Sequence, residues 1–256
     1  MRVMGQDARL GEALQAYYVG QLGKYVPGKV MVLVIRAGMI RSHRVSATVA
    51  TVAVFVETLT MMAVGAFIAA AGLACLFPQQ PLAALIGLGC MLVTALPTLP
   101  PVFKRLIRIV GLHRSHPTTV SELAKLGFDT LLTGWALTAI GWVISGLGLW
   151  AVLRAMALPG TETFSHLPFL IVAVAASKAI GFVSMIPAGL GVADLTLTGL
   201  LGPYFHSQAL GASPETAALV AALALRLVGI VSELLFSGLI SGILYLNHAF
   251  RRHSRL

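Results

Sequence analysis

Ala179-Ile180-Gly181-Phe182-Val183-Ser184-Met185-Ile186-Pro187-Ala188-Gly189-Leu190-Gly191-Val192-Ala193-Asp194 is an apolar, helix-like run that Pro187, Gly189 and Gly191 interrupt before an acidic residue resumes it. In water such a stretch would join two short helices. Inside a bilayer it means more, because backbone groups released by the break must face protein or a wet cavity. Interrupted apolar helices are where transporters build a polar site from half-helix ends near the membrane midplane. Composition says which solvent applies. Hydrophobic residues make up 57% and charged residues 11%, against roughly 25% charged in a soluble domain. Mean hydropathy is +0.89, and several runs exceed the ~18 apolar residues that mark a transmembrane helix. The expected fold class is all-α, a polytopic helical integral membrane protein with two Pro/Gly-broken helices, each re-entrant or discontinuous. A β-barrel is excluded because the apolar runs are continuous rather than alternating.

The net charge of +9 and the pI near 10.2 would suggest nucleic acid in a soluble chain. Here the bases cluster at 36–44, 104–125 and 251–255, in short segments between apolar runs, as the positive-inside rule requires. No nucleic-acid partner is expected. The turns near 78–81 and 157–167 carry almost no charge and belong outside. The basic tail Arg251-Arg252-His253-Ser254-Arg255 belongs in the cytoplasm, in a bacterial inner membrane by default. Apolar spans read at Val45 to Phe77, Leu82 to Phe103, Phe128 to Met156, Pro168 to Ile186, Leu195 to Tyr204 and Glu215 to Leu246. No soluble domain reads in the sequence, so residues 1–256 form one transmembrane domain.

A second break lies in the other half. Tyr25-Val26-Pro27-Gly28 repeats the apolar-Pro-small pattern, and a pair of interrupted segments in corresponding halves is the best sequence pointer to a transporter's site. Ionisable residues in the apolar runs add to it, since each costs at least ~2.5 kcal/mol at a helix centre and usually marks a pathway or a pair. Glu57 lies about 18 Å along its helix, and Arg226 and Glu233 share one helix face about 10 Å apart. Lys178 precedes Pro187 by about two and a half turns, Asp194 follows Gly191, and Lys24, Lys29 and Arg36 bracket the first break. The set holds five bases (Lys24, Lys29, Arg36, Lys178, Arg226) and three acids (Glu57, Asp194, Glu233). Two readings stay open: internal ion pairs that only fasten helices, or a surplus of positive charge that favours phosphate beside half-helix N-termini. On the second reading Arg226, Lys178 and Lys29 hold the phosphate, while Glu57, Asp194 and Glu233 balance them and meet any cationic headgroup.

Catalytic and metal signatures do not emerge. Cys75 and Cys90 lack CxxC or His spacing, and the seven histidines are dispersed without HExxH. Gly23 with Gly28-Lys29 has P-loop spacing, but Val30 stands where a Mg²⁺-binding hydroxyl is needed. Ser184 has no histidine in its segment to act as base. Neither an enzyme nor a cofactor or metal is expected.

The two broken elements resemble a known family. Leu22-Gly23-Lys24-Tyr25-Val26-Pro27-Gly28-Lys29-Val30 with Arg36, and Ile186-Pro187-Ala188-Gly189-Leu190-Gly191-Val192-Ala193-Asp194, are similar to the paired elements of the flippase-like membrane domain of lysylphosphatidylglycerol synthases (the multiple peptide resistance factor). Glu57 and Arg226 fall where that family tends to carry a helix acid and a late arginine. The resemblance implies translocation of phospholipid or aminoacyl-phosphatidylglycerol between leaflets. It puts Lys24, Tyr25, Lys29, Arg36, Glu57, Lys178, Asp194, Arg226 and Glu233 at the lipid site, with Pro27, Gly28, Pro187, Gly189 and Gly191 as helix breaks. Ala188 stands where the family has glycine and Asp194 where it has glutamate. The family also carries helices ahead of its first element, so either this member is reduced or the start lies within a longer chain. A secondary transporter of a small anion and a non-transporting partner of a lipid-modifying enzyme are the alternatives.

Overall fold

The computed structural model describes residues 10–26, 30–40, 47–76, 81–96, 99, 101–102, 105, 127–158, 161, 163–206 and 213–253. Among them the regular structure is helical, with no strands. The helices are α1 (Leu10–Gln21), α2 (Val30–Ile40), α3 (Ala47–Leu76), α4 (Pro81–Ala95), α5 (Phe128–Ala155), α6 (Leu167–Val183), α7 (Val192–His206) and α8 (Pro214–His253). Short 3-10 turns, Leu22–Tyr25 and Pro187–Gly189, follow α1 and α6. Among the described residues three helices are long and apolar enough to cross a bilayer, over Ala50–Gly72, Phe128–Ala155 and Pro214–Leu246. At 1.5 Å per residue the 30 residues of α3 extend about 45 Å and the 40 of α8 about 60 Å. By contrast α1 has 12 residues, α2 11, α6 17 and α7 15, each short of the ~20 that a crossing needs. Four of the five short helices among the described residues flank the two sequence breaks; the fifth is α4, with 15 residues.

The chain divides into two compact units, Met1–Phe55 with Leu227–Leu256, and Val56–Arg226. The first holds α1 packed on α2 and the C-terminal part of α8. Gly20 faces the stem of Arg36, and Gly23 lies against the α2 backbone at Met31 and Val32, where a Cβ would collide. Small residues of this kind let membrane helices approach closely. Ala16, Ala37, Ile40 and Ala50 form its buried cluster.

The second unit packs α6 between α5 and α7. Its core contains Trp142, Leu149 and Leu153 of α5, Leu170 and Ala173–Ala176 of α6, Leu197, Leu201 and Phe205 of α7, and Ala217, Ala218, Ala221 and Ala222 of α8. Alanine and glycine dominate the contacts. A Cβ on Gly65 would overlap the Trp142 ring, one on Gly72 would meet Val172, and one on Gly146 would meet Ile171. Trp142 also donates its indole N–H to the Met61 carbonyl at 3.3 Å. Trp150 stacks on Phe164 with centroids 4.6 Å apart and carries Arg154 over its ring at 5.3 Å.

Candidate functional site

In the second unit the break begins where α6 ends. Ser184 donates its hydroxyl to the Gly181 carbonyl at 2.8 Å, closing the helix as a local side-chain bond does. Ile186 is extended (φ −71°, ψ 140°), as the residue before a proline must be. On either side of it the chain turns through left-handed backbone, with φ of 58° at Met185 before it and 50° at Ala188, 62° at Gly189 and 79° at Gly191 after it. Gly189 also lies against the Gly181 backbone, where a side chain has no room. Both glycines are thus required by conformation, and Ala188 adopts a glycine-like φ at a cost of roughly 1–2 kcal/mol.

The break is fastened by one ion pair. Asp194 stands in the first turn of α7 and accepts the Gly191 N–H at 3.0 Å, so its carboxylate caps the helix it belongs to. Arg226 of α8 meets that carboxylate side-on, Nε to Oδ1 at 2.7 Å and Nη2 to Oδ2 at 2.7 Å. Its Nη1 and Nη2 also donate to the Ala188 and Gly189 carbonyls at 3.4 Å. The guanidinium therefore satisfies carbonyls that the broken helix leaves open, with the planar fork that a lysine lacks. Side-chain exposure is 19% for Arg226 and 12% for Asp194, so the charges compensate each other away from bulk solvent.

Lys178 lies elsewhere in this unit. It is exposed on α6, its Nζ donating to the Ser145 hydroxyl at 3.3 Å and lying 5.7 Å from the centroid of the Trp142 ring. Glu57 is exposed on α3.

The first unit contains the counterpart with the signs exchanged. Lys24 of the 3-10 turn forms an ion pair with Glu233 of α8, and Tyr25 donates its hydroxyl to the other Glu233 oxygen at 3.0 Å. The turn ends at Val26, which is extended (φ −83°, ψ 138°). Pro27, Gly28 and Lys29 lie outside the described residues. Arg36 is buried at 5% exposure, its guanidinium 4.6 Å from the centroid of the Tyr17 ring, an aromatic face being a favourable place for a desolvated cation. Lys24 with Glu233 and Arg226 with Asp194 are thus base–acid pairs. Asp194 with Arg226 and the 187–191 break form one cluster, Lys24 and Tyr25 with Glu233 another. Sequence reasoning overlooked Ser145 and Trp142 beside Lys178, and Gln15 and Ser241 beside the Glu233 cluster. The four-residue spacing of Glu233, Ser237 and Ser241 was the signal available for the last of these.

No curated protein and no solved structure matches the chain. The family described as the lysylphosphatidylglycerol synthase TM region matches residues 1–237. That span includes both broken elements and both ion pairs. Spanning-length apolar helices and this match together make the chain an integral membrane protein with a membrane lipid-related role, and a member of the lysylphosphatidylglycerol synthase TM region family.

Proposed function

We propose that the chain translocates phospholipid or aminoacyl-phosphatidylglycerol between the leaflets of a bacterial inner membrane, with its basic tail in the cytoplasm and without catalysing a reaction on its cargo. The observation that carries this reading is the Arg226 clamp. A half-buried arginine binds both a helix-capping carboxylate and the carbonyls of a broken helix, a construction that keeps irregular backbone satisfied at membrane depth. In this reading the Asp194–Arg226 pair holds the break in shape, and Lys178, exposed beside Ser145 and Trp142, meets the lipid phosphate. Glu57 receives a cationic headgroup, and Lys24, Tyr25, Lys29, Arg36 and Glu233 serve the other broken element. A lipid-modifying enzyme is the natural source of cargo, and it is the partner if the chain acts as a scaffold instead.

Proteoliposomes carrying fluorescent phosphatidylglycerol, or its lysyl derivative, test this with a membrane-impermeant quencher. Wild-type protein is expected to speed exposure of inner-leaflet lipid. Arg226→Lys keeps the charge but loses the fork, and should cut the rate about tenfold, the worth of one charge-assisted hydrogen bond. Lys178→Gln should raise the lipid concentration needed for half-maximal rate while leaving the fold intact by circular dichroism. Folded wild-type protein that moves neither lipid overturns the proposal.

A further inference from the structure

The Arg226–Asp194 and Lys24–Glu233 pairs are built differently, and the difference says which of them is free to change partners. Arg226 is locked, because it holds two backbone carbonyls besides Asp194, and Asp194 also caps its own helix. Lys24 meets Glu233 at one oxygen, Oε1, through a compact ammonium on a flexible four-carbon stem. The other Glu233 oxygen accepts the Tyr25 hydroxyl at 3.0 Å, and the Lys24 ammonium lies 5.1 Å from the centroid of the Tyr25 ring. A carboxylate beside a phenol and an aromatic face is a site for a primary ammonium, and here the chain's own lysine fills it. The lysine is the more exposed partner, at 33% against 20% for Glu233, so it has room to swing outward. Glu233 lies inside the apolar Pro214–Leu246 span, where a carboxylate left without a partner is costly. Whatever displaces Lys24 must therefore bring a cation of its own. Leu234, Leu235 and Leu239 of the same stretch are exposed, an apolar surface suited to acyl chains.

We propose that Lys24 is a resident stand-in for a lipid headgroup ammonium, and that a phospholipid binds this unit by an exchange of ion partners. The incoming ammonium takes the place of the Lys24 ammonium at Glu233 and Tyr25, and the freed Lys24 pairs with the lipid phosphate. One internal pair becomes two pairs with the lipid, no proton moves, and no charge is left alone at depth. The ligand class is a phospholipid whose headgroup carries a primary ammonium as well as its phosphate, such as phosphatidylethanolamine or an aminoacyl-phosphatidylglycerol. Phosphatidylglycerol has the phosphate alone, so it draws Lys24 away only by stranding Glu233. Lys24 is thereby a specificity-determining residue, holding a contact that an ammonium headgroup replaces and a simple anion does not. As a step in lipid movement the exchange rests on the translocation reading above, to which it adds a second headgroup subsite in the unit that does not hold Glu57 and Lys178. The selectivity is an equilibrium property and stands apart from movement.

Native mass spectrometry of the whole protein in detergent, titrated with phosphatidylethanolamine, lysyl-phosphatidylglycerol and phosphatidylglycerol of one acyl composition, reads the three dissociation constants. Wild-type protein should bind at least one ammonium lipid about tenfold more tightly than phosphatidylglycerol, a difference of ~1.4 kcal/mol, and whichever lipid shows the preference names the headgroup. Lys24→Met empties the site and should widen that preference by about threefold or more, whereas Glu233→Gln should shrink it to within about twofold. A pair that merely fastens the turn gives another pattern: both variants weaken all three lipids alike and leave the ratio unchanged, and that result overturns the proposal. So does a preference that survives in Glu233→Gln shown to be folded by circular dichroism. Wild-type protein without a preference overturns it as well, a measurement that needs no variant to fold. Movement is read separately in the proteoliposomes described above. A protein with the preference that moves no lipid removes the translocation reading and keeps the exchange, and one that moves lipid without the preference removes the exchange alone.

Discussion

At Ala188 the sequence and the backbone disagree. Its φ of 50° belongs to the region that L-residues avoid by roughly 1–2 kcal/mol, and the surroundings hold it there. Gly189 donates its N–H to the Ile186 carbonyl at 2.9 Å and Leu190 to the Pro187 carbonyl at 3.0 Å, while Arg226 takes the Ala188 carbonyl. Ala188→Gly should therefore stabilise the protein by up to about 1 kcal/mol, read as a higher melting temperature in nanodiscs, whereas Ala188→Val should lower it. The resemblance had marked the position as a glycine site, and the dihedral supplies the physical reason. Charged residues were legible individually because charge inside an apolar run is conspicuous. Their pairing was not, since Lys24 and Glu233 are 209 residues apart and Asp194 and Arg226 are 32 apart. Nothing local in a sequence says which base an acid will meet. The sequence also allotted Arg226 to phosphate; in the structure its donors are directed to Asp194 and two carbonyls, while Lys178 is an exposed cation of the same unit.

At the scale of the element, some helix ends were legible to within a few residues. Val45 to Phe77 as read became Ala47–Leu76, whereas Glu215 to Leu246 became Pro214–His253, well past the end read for it. Of the span read as Leu82 to Phe103, α4 covers the part up to Ala95, and Pro97, Thr98, Pro100 and Phe103 lie outside the described residues. The packing of α5 on α6 was hidden, because its determinants are glycines that also occur at neutral positions. Gly146 and Gly141 show the difference. A side chain at Gly146 meets Ile171, including its backbone, whereas nothing lies within 4 Å of a Cβ at Gly141. Gly146→Leu should cost about 1–3 kcal/mol through overpacking, and Gly141→Ala should stay within about 0.5 kcal/mol. Reversible denaturation in mixed micelles measures both.

For the whole molecule, hydropathy and charge placement were enough to assign a polytopic helical membrane protein. The division into two units was not legible. It depends on α3 and α8 each contributing to both units, a property of long-range packing that no window of sequence displays. That division also has an optical consequence. All three tryptophans, Trp135, Trp142 and Trp150, lie on α5, within the unit that contains the Arg226 clamp and Lys178. Ultraviolet emission at long excitation wavelength therefore reports on that unit and is silent about the other. The Lys178 ammonium over the Trp142 ring is a charge whose displacement changes the indole's emission energy. Anionic lipid arriving at Lys178 should shift the colour of the native fluorescence, an effect that Trp142→Phe removes. The protein carries a built-in lamp in one of its two rooms.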